Sequence, residues 1–176
     1  MSSDPQALLT VLLAMTGLTQ TEAAALVGVA SRTVRRWMEG VRKPPAVAID
    51  RLAALARAQG QVADSMVRAL GEAGSAPKIL LVYRRDRDVP PWTGLRTAGC
   101  HLALVRRVAE RRPDVQFVAY DRGAYRRWLG SRPDSHDLRD AWAASRAEKT
   151  QAPKSQRTGR HPEIPSLRPF VSKPPD

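Results

Sequence analysis

The chain has 176 residues, with 29 Lys and Arg against 17 Asp and Glu, which gives a formal net charge of +12. Such a basic chain suits a polyphosphate partner, because each neutralised phosphate releases counterions, although RNA and anionic membranes also attract basic surfaces. The single cysteine, Cys100, excludes an intramolecular disulfide framework.

The first predicted element is a helix that begins at Pro5 and ends at Gly17. Ser3 or Asp4 can cap it, and proline is favoured at the first helical position. Its apolar run is too short and too interrupted to span a bilayer, and no basic residue precedes it. We therefore expect a soluble, cytoplasmic protein.

The stretch from Thr19 to Pro45 has the spacing of two short helices joined by a tight turn. Thr19 and Glu22 predict a capping box at the start of the first helix. Gly28 can adopt the left-handed conformation that ends this helix, and Ser31 is expected to cap the second.

The second of these helices has an apolar side and a basic side. Val34 and Trp37 are three residues apart and share one face, which predicts that both are buried. The other sides of the helix carry three arginines: Arg32, Arg35 and Arg36.

This pattern resembles the Cro/C1-type helix-turn-helix family of repressors over roughly residues 8–55. The residues that carry the resemblance are Gln20, Glu22, Ala24, Gly28, Val34, Trp37, Gly40 and Pro44. The resemblance implies binding to double-stranded DNA, with the second helix in the major groove. The alternative is a small helical domain that binds protein and uses this spacing for packing alone.

The candidate DNA contacts lie on and around the second helix. Its N-terminal residues would approach the base edges, and arginine is the commonest bidentate reader of guanine. Gln20 is carried over from the family as a phosphate contact, and cations that follow the helix also suit phosphates. The candidate set is Gln20, Ser31, Arg32, Thr33, Arg35, Arg36, Arg42 and Lys43. The alternative for each arginine is a solvated face, since arginine is usually exposed.

Two more helices are predicted after Pro45, separated by an interruption at Gly60. The second of them runs to about Glu72, and a linker rich in small residues follows it. We therefore assign residues 1–72 to a mostly α-helical DNA-binding domain and residues 73–77 to a linker.

The second half predicts a small α+β domain over residues 78–145. The expected elements are strands at Lys78–Tyr83 and Val115–Tyr120, a helix over Thr97–Arg112, and shorter helices at Ala124–Leu129 and His136–Ser145. Leu102, Val105 and Ala109 are expected to share the apolar face of the Thr97–Arg112 helix, joined by Leu104 and Val108. The chain from Arg146 to Asp176 is basic and broken by prolines, which predicts a disordered tail that either attracts nucleic acid or is inert.

The order of the two domains resembles the anti-CRISPR-associated (Aca) repressors of phages and mobile elements. The resembling segments are RRWMEG at Arg35–Gly40, K-x-L-x-x-Y at Lys78–Tyr83, and VAYD at Val118–Asp121. The resemblance implies a homodimer that represses a promoter including that of its own gene, with the second domain as the dimerisation unit. The proline-rich loop around Pro90 departs from this pattern.

Two strands alone form a marginal sheet with open edges, so a second copy could cover one edge and create a two-fold axis that requires a palindromic operator. The candidate dimerisation residues are Ile79, Leu81, Tyr83, Phe117 and Ala119. The alternative is helix packing through Val62, Met66 and Leu70.

Catalytic and metal-binding patterns are weak. Cys100 and His101 are adjacent on a helix and point about 100° apart, so they do not form a nucleophile pair. Asp86, Asp88 and Asp121 could cluster near strand ends, but charged loop residues are usually solvated. We therefore predict no enzyme, no metal and no cofactor. The main functional alternative to a repressor is an antitoxin-like or adaptor protein that binds a protein or RNA.

Overall fold

The computed structural model describes residues 4–72, 78–95 and 97–151. Its helices are α1 (Pro5–Thr16), α2 (Gln20–Val27), α3 (Ser31–Met38), α4 (Ala46–Glu72), α5 (Ala98–Arg111), α6 (Arg122–Leu129) and α7 (His136–Gln151). Its strands are β1 (Ile79–Val82) and β2 (Gln116–Ala119). The chain is thus mostly helical with a small two-stranded sheet, which confirms the predicted fold class at that level.

The ends of α1 and α2 are determined by the predicted local interactions. The Asp4 carboxylate accepts a hydrogen bond from the Gln6 backbone N–H at 3.1 Å. Thr19 and Glu22 form the capping box, with bonds of 2.6 and 3.2 Å. Gly28 ends α2 in the left-handed conformation, with φ of 79°. These caps satisfy backbone groups that a short helix would otherwise leave unpaired.

The predicted cap at Ser31 is wrong. Ala30 occupies the N-cap position, and Ser31 is the first residue of α3. The reason is that the Ala30 carbonyl accepts a hydrogen bond from the Thr33 N–H at 2.8 Å, so the helical turn starts one residue earlier. Ala30 offers no side-chain acceptor to the first N–H groups of α3.

The predicted interruption at Gly60 is also wrong, because α4 is continuous from Ala46 to Glu72. Contacts with the rest of the chain hold the part of α4 that directly precedes this glycine. The Gln59 amide donates to the Thr16 carbonyl at 3.1 Å, and Arg107 donates to the Ala56 carbonyl at 2.9 Å. Such packing offsets the roughly 1 kcal/mol that a glycine costs inside a helix.

Helices α1 to α4 surround one apolar core. Its buried members include Leu9, Leu12, Leu13, Ala23, Ala24, Val34, Trp37, Ala48, Leu52 and Ala56. No single helix among the described residues is long and apolar enough to cross a membrane. Leu9, Leu12 and Leu13 of α1 are buried in this core, whereas Val11 and Met15 are exposed.

Strands β1 and β2 are parallel, with register from Ile79 opposite Gln116 to Val82 opposite Ala119. Helix α5 connects them, as a parallel pair requires a crossover. Leu81 packs in a cluster that includes Trp142 of α7, whereas Leu80 packs with residues of α4 and α5. Successive β1 residues therefore join different clusters, as strand geometry dictates.

The buried face of α5 agrees only in part with the predicted one. Leu102 is 43% exposed. Leu104, Val105 and Val108 are buried as predicted, and Ala98, Cys100 and His101 are buried as well. These residues are buried because α1, α4 and β1 all pack against α5.

Helix α7 extends beyond its predicted end and includes residues 146–151. Ala147 is only 3% exposed, so the prediction that the disordered tail begins at Arg146 is wrong. Trp142 and Ala143 anchor the middle of α7, and the buried Ala147 continues the same buried side one turn further along the helix. The remaining tail and the predicted linker 73–77 lie outside the described residues.

Candidate nucleic-acid interface

Helix α3 separates apolar from basic side chains. Val34 and Trp37 are 1% and 3% exposed and belong to the core of α1 to α4, as their spacing predicted. Arg32, Arg35 and Arg36 are exposed. An eight-residue helix therefore carries three guanidinium groups to solvent while its other face anchors it to the core.

The three arginines differ in their partners. The Nε of Arg35 lies 4.0 Å from a carboxylate oxygen of Glu39, and both side chains are more than half exposed. Arg32 and Arg36 have no acidic partner within the described parts of the chain. These two are four residues apart, so they lie on neighbouring turns of one helical face. Of the three arginines of α3, they are the ones whose guanidinium groups are free to meet an external acceptor.

The remaining candidates flank this helix. Ser31 is exposed at its N-terminus and Thr33 is half-buried beside it. Gln20 is exposed at the start of α2. Helix N-termini favour negatively charged oxygens because of their unpaired N–H groups and their dipole.

Arg42 and Lys43 are exposed in the segment that follows α3. The Arg36 carbonyl accepts hydrogen bonds from the Val41 and Arg42 N–H groups, at 3.0 and 3.3 Å. This turn holds both cations close to the C-terminal end of α3, where they extend the basic surface.

The candidate dimerisation residues separate into two groups. Leu81 and Tyr83 are buried inside the chain, and Ile79 packs against the same cluster. Phe117 and Ala119 of β2 are exposed. The described sheet has two strands, so each strand has one edge that no other described strand covers. Within the candidate set, Phe117 and Ala119 are thus the exposed residues, whereas Ile79 is half-buried.

The three candidate aspartates have structural partners. Asp86 accepts a hydrogen bond from the Ala98 N–H at 2.8 Å, and Asp121 caps α6 through the Ala124 N–H at 2.9 Å. The bond from that N–H lowers the pKa of Asp121. Asp88 is buried, with its carboxylate 3.7 Å from Arg122. No group of three or more possible metal ligands occurs within the described ranges.

Cys100 and His101 point to different surroundings, as their adjacency predicted. Cys100 belongs to the core of α1 to α4. The His101 Nε2 lies 2.9 Å from the Leu81 carbonyl oxygen. Burial lowers the pKa of His101, although the bond to this carbonyl opposes the shift.

Arg139, which no sequence pattern indicated, is buried in the second half of the chain. Its guanidinium makes two bonds to the Asp134 carboxylate, at 3.0 and 2.6 Å, and one to the Asp88 carbonyl at 2.9 Å. Four aromatic rings surround it at 4.8 to 5.6 Å: Tyr83, Trp92, Tyr120 and Tyr125. The rings come from parts of the chain that are far apart in sequence: the ends of the two strands, the Pro90–Leu95 segment and α6. No local motif therefore indicates this site.

No protein-family model matches this chain, and a search of curated proteins found no match. The exposed cations of α3 and its flanks are therefore the main basis for a functional assignment.

Proposed function

We propose that this protein is a sequence-specific DNA-binding repressor that acts as a homodimer on a palindromic operator, including the operator of its own gene. The observation that carries the proposal is the division of α3 between a buried apolar face and exposed arginines. A helix fixed to a core by Val34 and Trp37 presents its charged side at a defined angle, which base recognition requires.

In this proposal α3 enters the major groove. Arg32 and Arg36, which have no acidic partner in the described chain, would donate to guanine O6 and N7. Arg35 is the weaker candidate, because its weak ion pair with Glu39 competes with an external acceptor. Gln20, Arg42 and Lys43 would bind phosphates on either side and set the register of the helix on the duplex.

Dimerisation completes the proposal. One α3 helix reads only a few base pairs, and helix-turn-helix proteins gain specificity by placing two copies on half-sites about one helical turn apart. The exposed Phe117 of β2 is an apolar side chain beside a strand edge with no described partner strand. A second copy that covers this edge would create the two-fold axis.

The experiment is footprinting of the full-length protein on the DNA upstream of its own gene. We expect a protected region that contains an inverted repeat and that persists when unrelated duplex is added as competitor. Arg57→Ala is a matched control for arginine substitutions in α3, because Arg57 is an exposed arginine on α4. Equal protection of unrelated DNA would contradict sequence specificity.

A second candidate function is supported by two exposed aromatic side chains. Trp92 is 47% exposed and Phe117 is 40% exposed, and aromatic residues are enriched in protein interfaces. An antitoxin-like or adaptor protein would use one or both of these side chains to bind a protein or RNA partner. Under that function the footprint would be absent, and Trp92→Ala would disrupt partner binding while Arg36→Ala would not.

A further inference from the structure

A pocket of about 260 Å³ lies in the second half of the chain, and none of its described lining residues belongs to α3. Two exposed arginines line it: Arg87 in the helical turn Asp86–Asp88 that follows β1, and Arg126 on α6. Neither side chain makes a hydrogen bond or an ion pair with another described residue. We call them the two free arginines. Two separate elements thus bring two unpaired guanidinium groups to one concave surface.

The other charged groups that line this pocket are paired with one another. Arg139 makes bonds of 3.0 and 2.6 Å to the Asp134 carboxylate. The Asp88 carboxylate is buried without a hydrogen bond to its Oδ1, and Arg122, at 3.7 Å, compensates its charge through space. Four arginines and two carboxylates give the lining a formal charge of +2. This excess belongs to the two free arginines.

The remaining lining residues add no charge. Burial raises the pKa values of Tyr120 and Tyr125, so both phenols stay neutral at neutral pH. The Tyr125 hydroxyl already donates to Asp134 at 2.7 Å. Leu129 adds an apolar side chain to the same wall. The pocket therefore favours a ligand with an anionic group and an uncharged body.

The backbone that carries the two free arginines is held in place by distant contacts. On one side of Arg87, the Asp86 carboxylate accepts from the Ala98 N–H at 2.8 Å. On the other side, the Asp88 carbonyl accepts from Arg139 at 2.9 Å. The second free arginine lies within the regular helix α6. A site held in this way loses less conformational freedom when a ligand binds.

We propose that this pocket binds the terminal phosphate of a small phosphomonoester through the guanidinium groups of Arg87 and Arg126. Arginine presents paired N–H groups that match phosphate oxygens. A phosphomonoester carries about −1.5 to −2 charges at pH 7, which matches the formal charge of the lining. A phosphodiester in a nucleic-acid backbone carries a single negative charge and matches it less well. The site is separate from α3, and its existence does not depend on DNA binding.

Phenyl phosphate and methyl phenyl phosphate are a matched pair of probes, because the methyl diester has the same ring and only a single negative charge. Calorimetry with the full-length protein at constant ionic strength measures the dissociation constant of each. We expect phenyl phosphate to bind about tenfold or more tightly than the diester, because charged hydrogen bonds are the stronger ones. Similar affinities would overturn the terminal phosphate as the ligand and would favour a backbone phosphate of nucleic acid.

Arg126→Gln and Arg87→Gln should each weaken the binding of phenyl phosphate about tenfold or more, since each removes a charged donor. The matched controls are Arg127→Gln and Arg85→Gln, which make the same change at exposed neighbours that do not line the pocket. We expect the controls to change the affinity by less than about twofold, because charges outside contact distance are screened. Absence of phenyl phosphate binding, or equal effects in pocket variants and controls, would overturn the site itself.

Discussion

Gly17 and Gly99 bring the C-terminal end of α1 and the first turn of α5 into direct backbone contact. A Cβ atom at either position would overlap the carbonyl oxygen of the other glycine. Arg107 extends this junction, since it donates to the Met15 carbonyl at 3.1 Å and to the Ala56 carbonyl at 2.9 Å. The helical first part and the mixed second part are therefore packed together through α5.

Gly99→Ala should destabilise the protein by about 1–3 kcal/mol, because the added methyl group must displace backbone rather than a mobile side chain. Gly60→Ala is the matched control in a helix, where the new Cβ would meet only the end of the Arg107 side chain at 3.4 Å. We expect that variant to be equal in stability or up to about 1 kcal/mol more stable. Urea denaturation of both variants measures the difference, and similar stabilities would contradict the close approach.

Arg139→Lys should lower the free energy of unfolding by about 2–3 kcal/mol, although lysine retains the positive charge. Lysine cannot make the two parallel bonds to Asp134 together with the bond to the Asp88 carbonyl. Arg132→Lys is the control, because Arg132 is exposed and also lies over a ring, 4.3 Å from the centre of Trp128. We expect Arg132→Lys to lower the free energy of unfolding by less than about 0.5 kcal/mol. Equal effects in thermal or urea unfolding would mean that the buried guanidinium geometry is unimportant.

His101 should titrate below 6.5, the ordinary pKa of an imidazole, because burial lowers its pKa. Between the folded and unfolded pKa values the unfolded chain binds the proton and the folded chain does not. This group therefore contributes stability that is present above about pH 6.5 and is lost as the pH falls towards the folded pKa. An NMR titration of the His101 ring in the folded protein measures this pKa. A value at or above 6.5 would contradict the burial of a neutral ring.

Arg36→Ala should weaken operator binding by about 1–3 kcal/mol and relax the preference at one base pair. Lys43→Ala should weaken binding to all sequences similarly. It should also reduce the slope of the logarithm of the binding constant against the logarithm of the salt concentration by about one unit. Binding titrations at several salt concentrations distinguish the two effects, with Arg57→Ala as the control. If Arg36→Ala behaves like Arg57→Ala, α3 does not read the bases.

Phe117→Asp should convert a dimer into a monomer in sedimentation experiments, because a charge would enter the proposed apolar contact. Leu102→Asp is the control, since Leu102 is similarly exposed on α5. Val62→Asp tests dimerisation through α4, where Met66 and Leu70 already pack against the α5 cluster of the same chain. Loss of the dimer in Val62→Asp alone would favour that helical interface over the sheet.

The features that the sequence alone determined are local ones. The capping box of Thr19 and Glu22, the end of α2 at Gly28 and the buried pair Val34 and Trp37 were all predicted correctly. Each depends on residues within four positions of one another, where helical geometry directly decides which groups meet. The exposure of the arginines on α3 follows from the same periodicity.

The tertiary structure decided the features that join distant segments. The continuity of α4 through Gly60, the extension of α7 to Gln151, the buried Arg139 and the unpaired nitrogen of His101 all depend on contacts between residues far apart in the chain. Local propensity favours a break at a glycine, and packing from neighbouring elements overrides it. A buried cation or acceptor leaves no periodic signal, because its burial depends on which segments the fold brings around it.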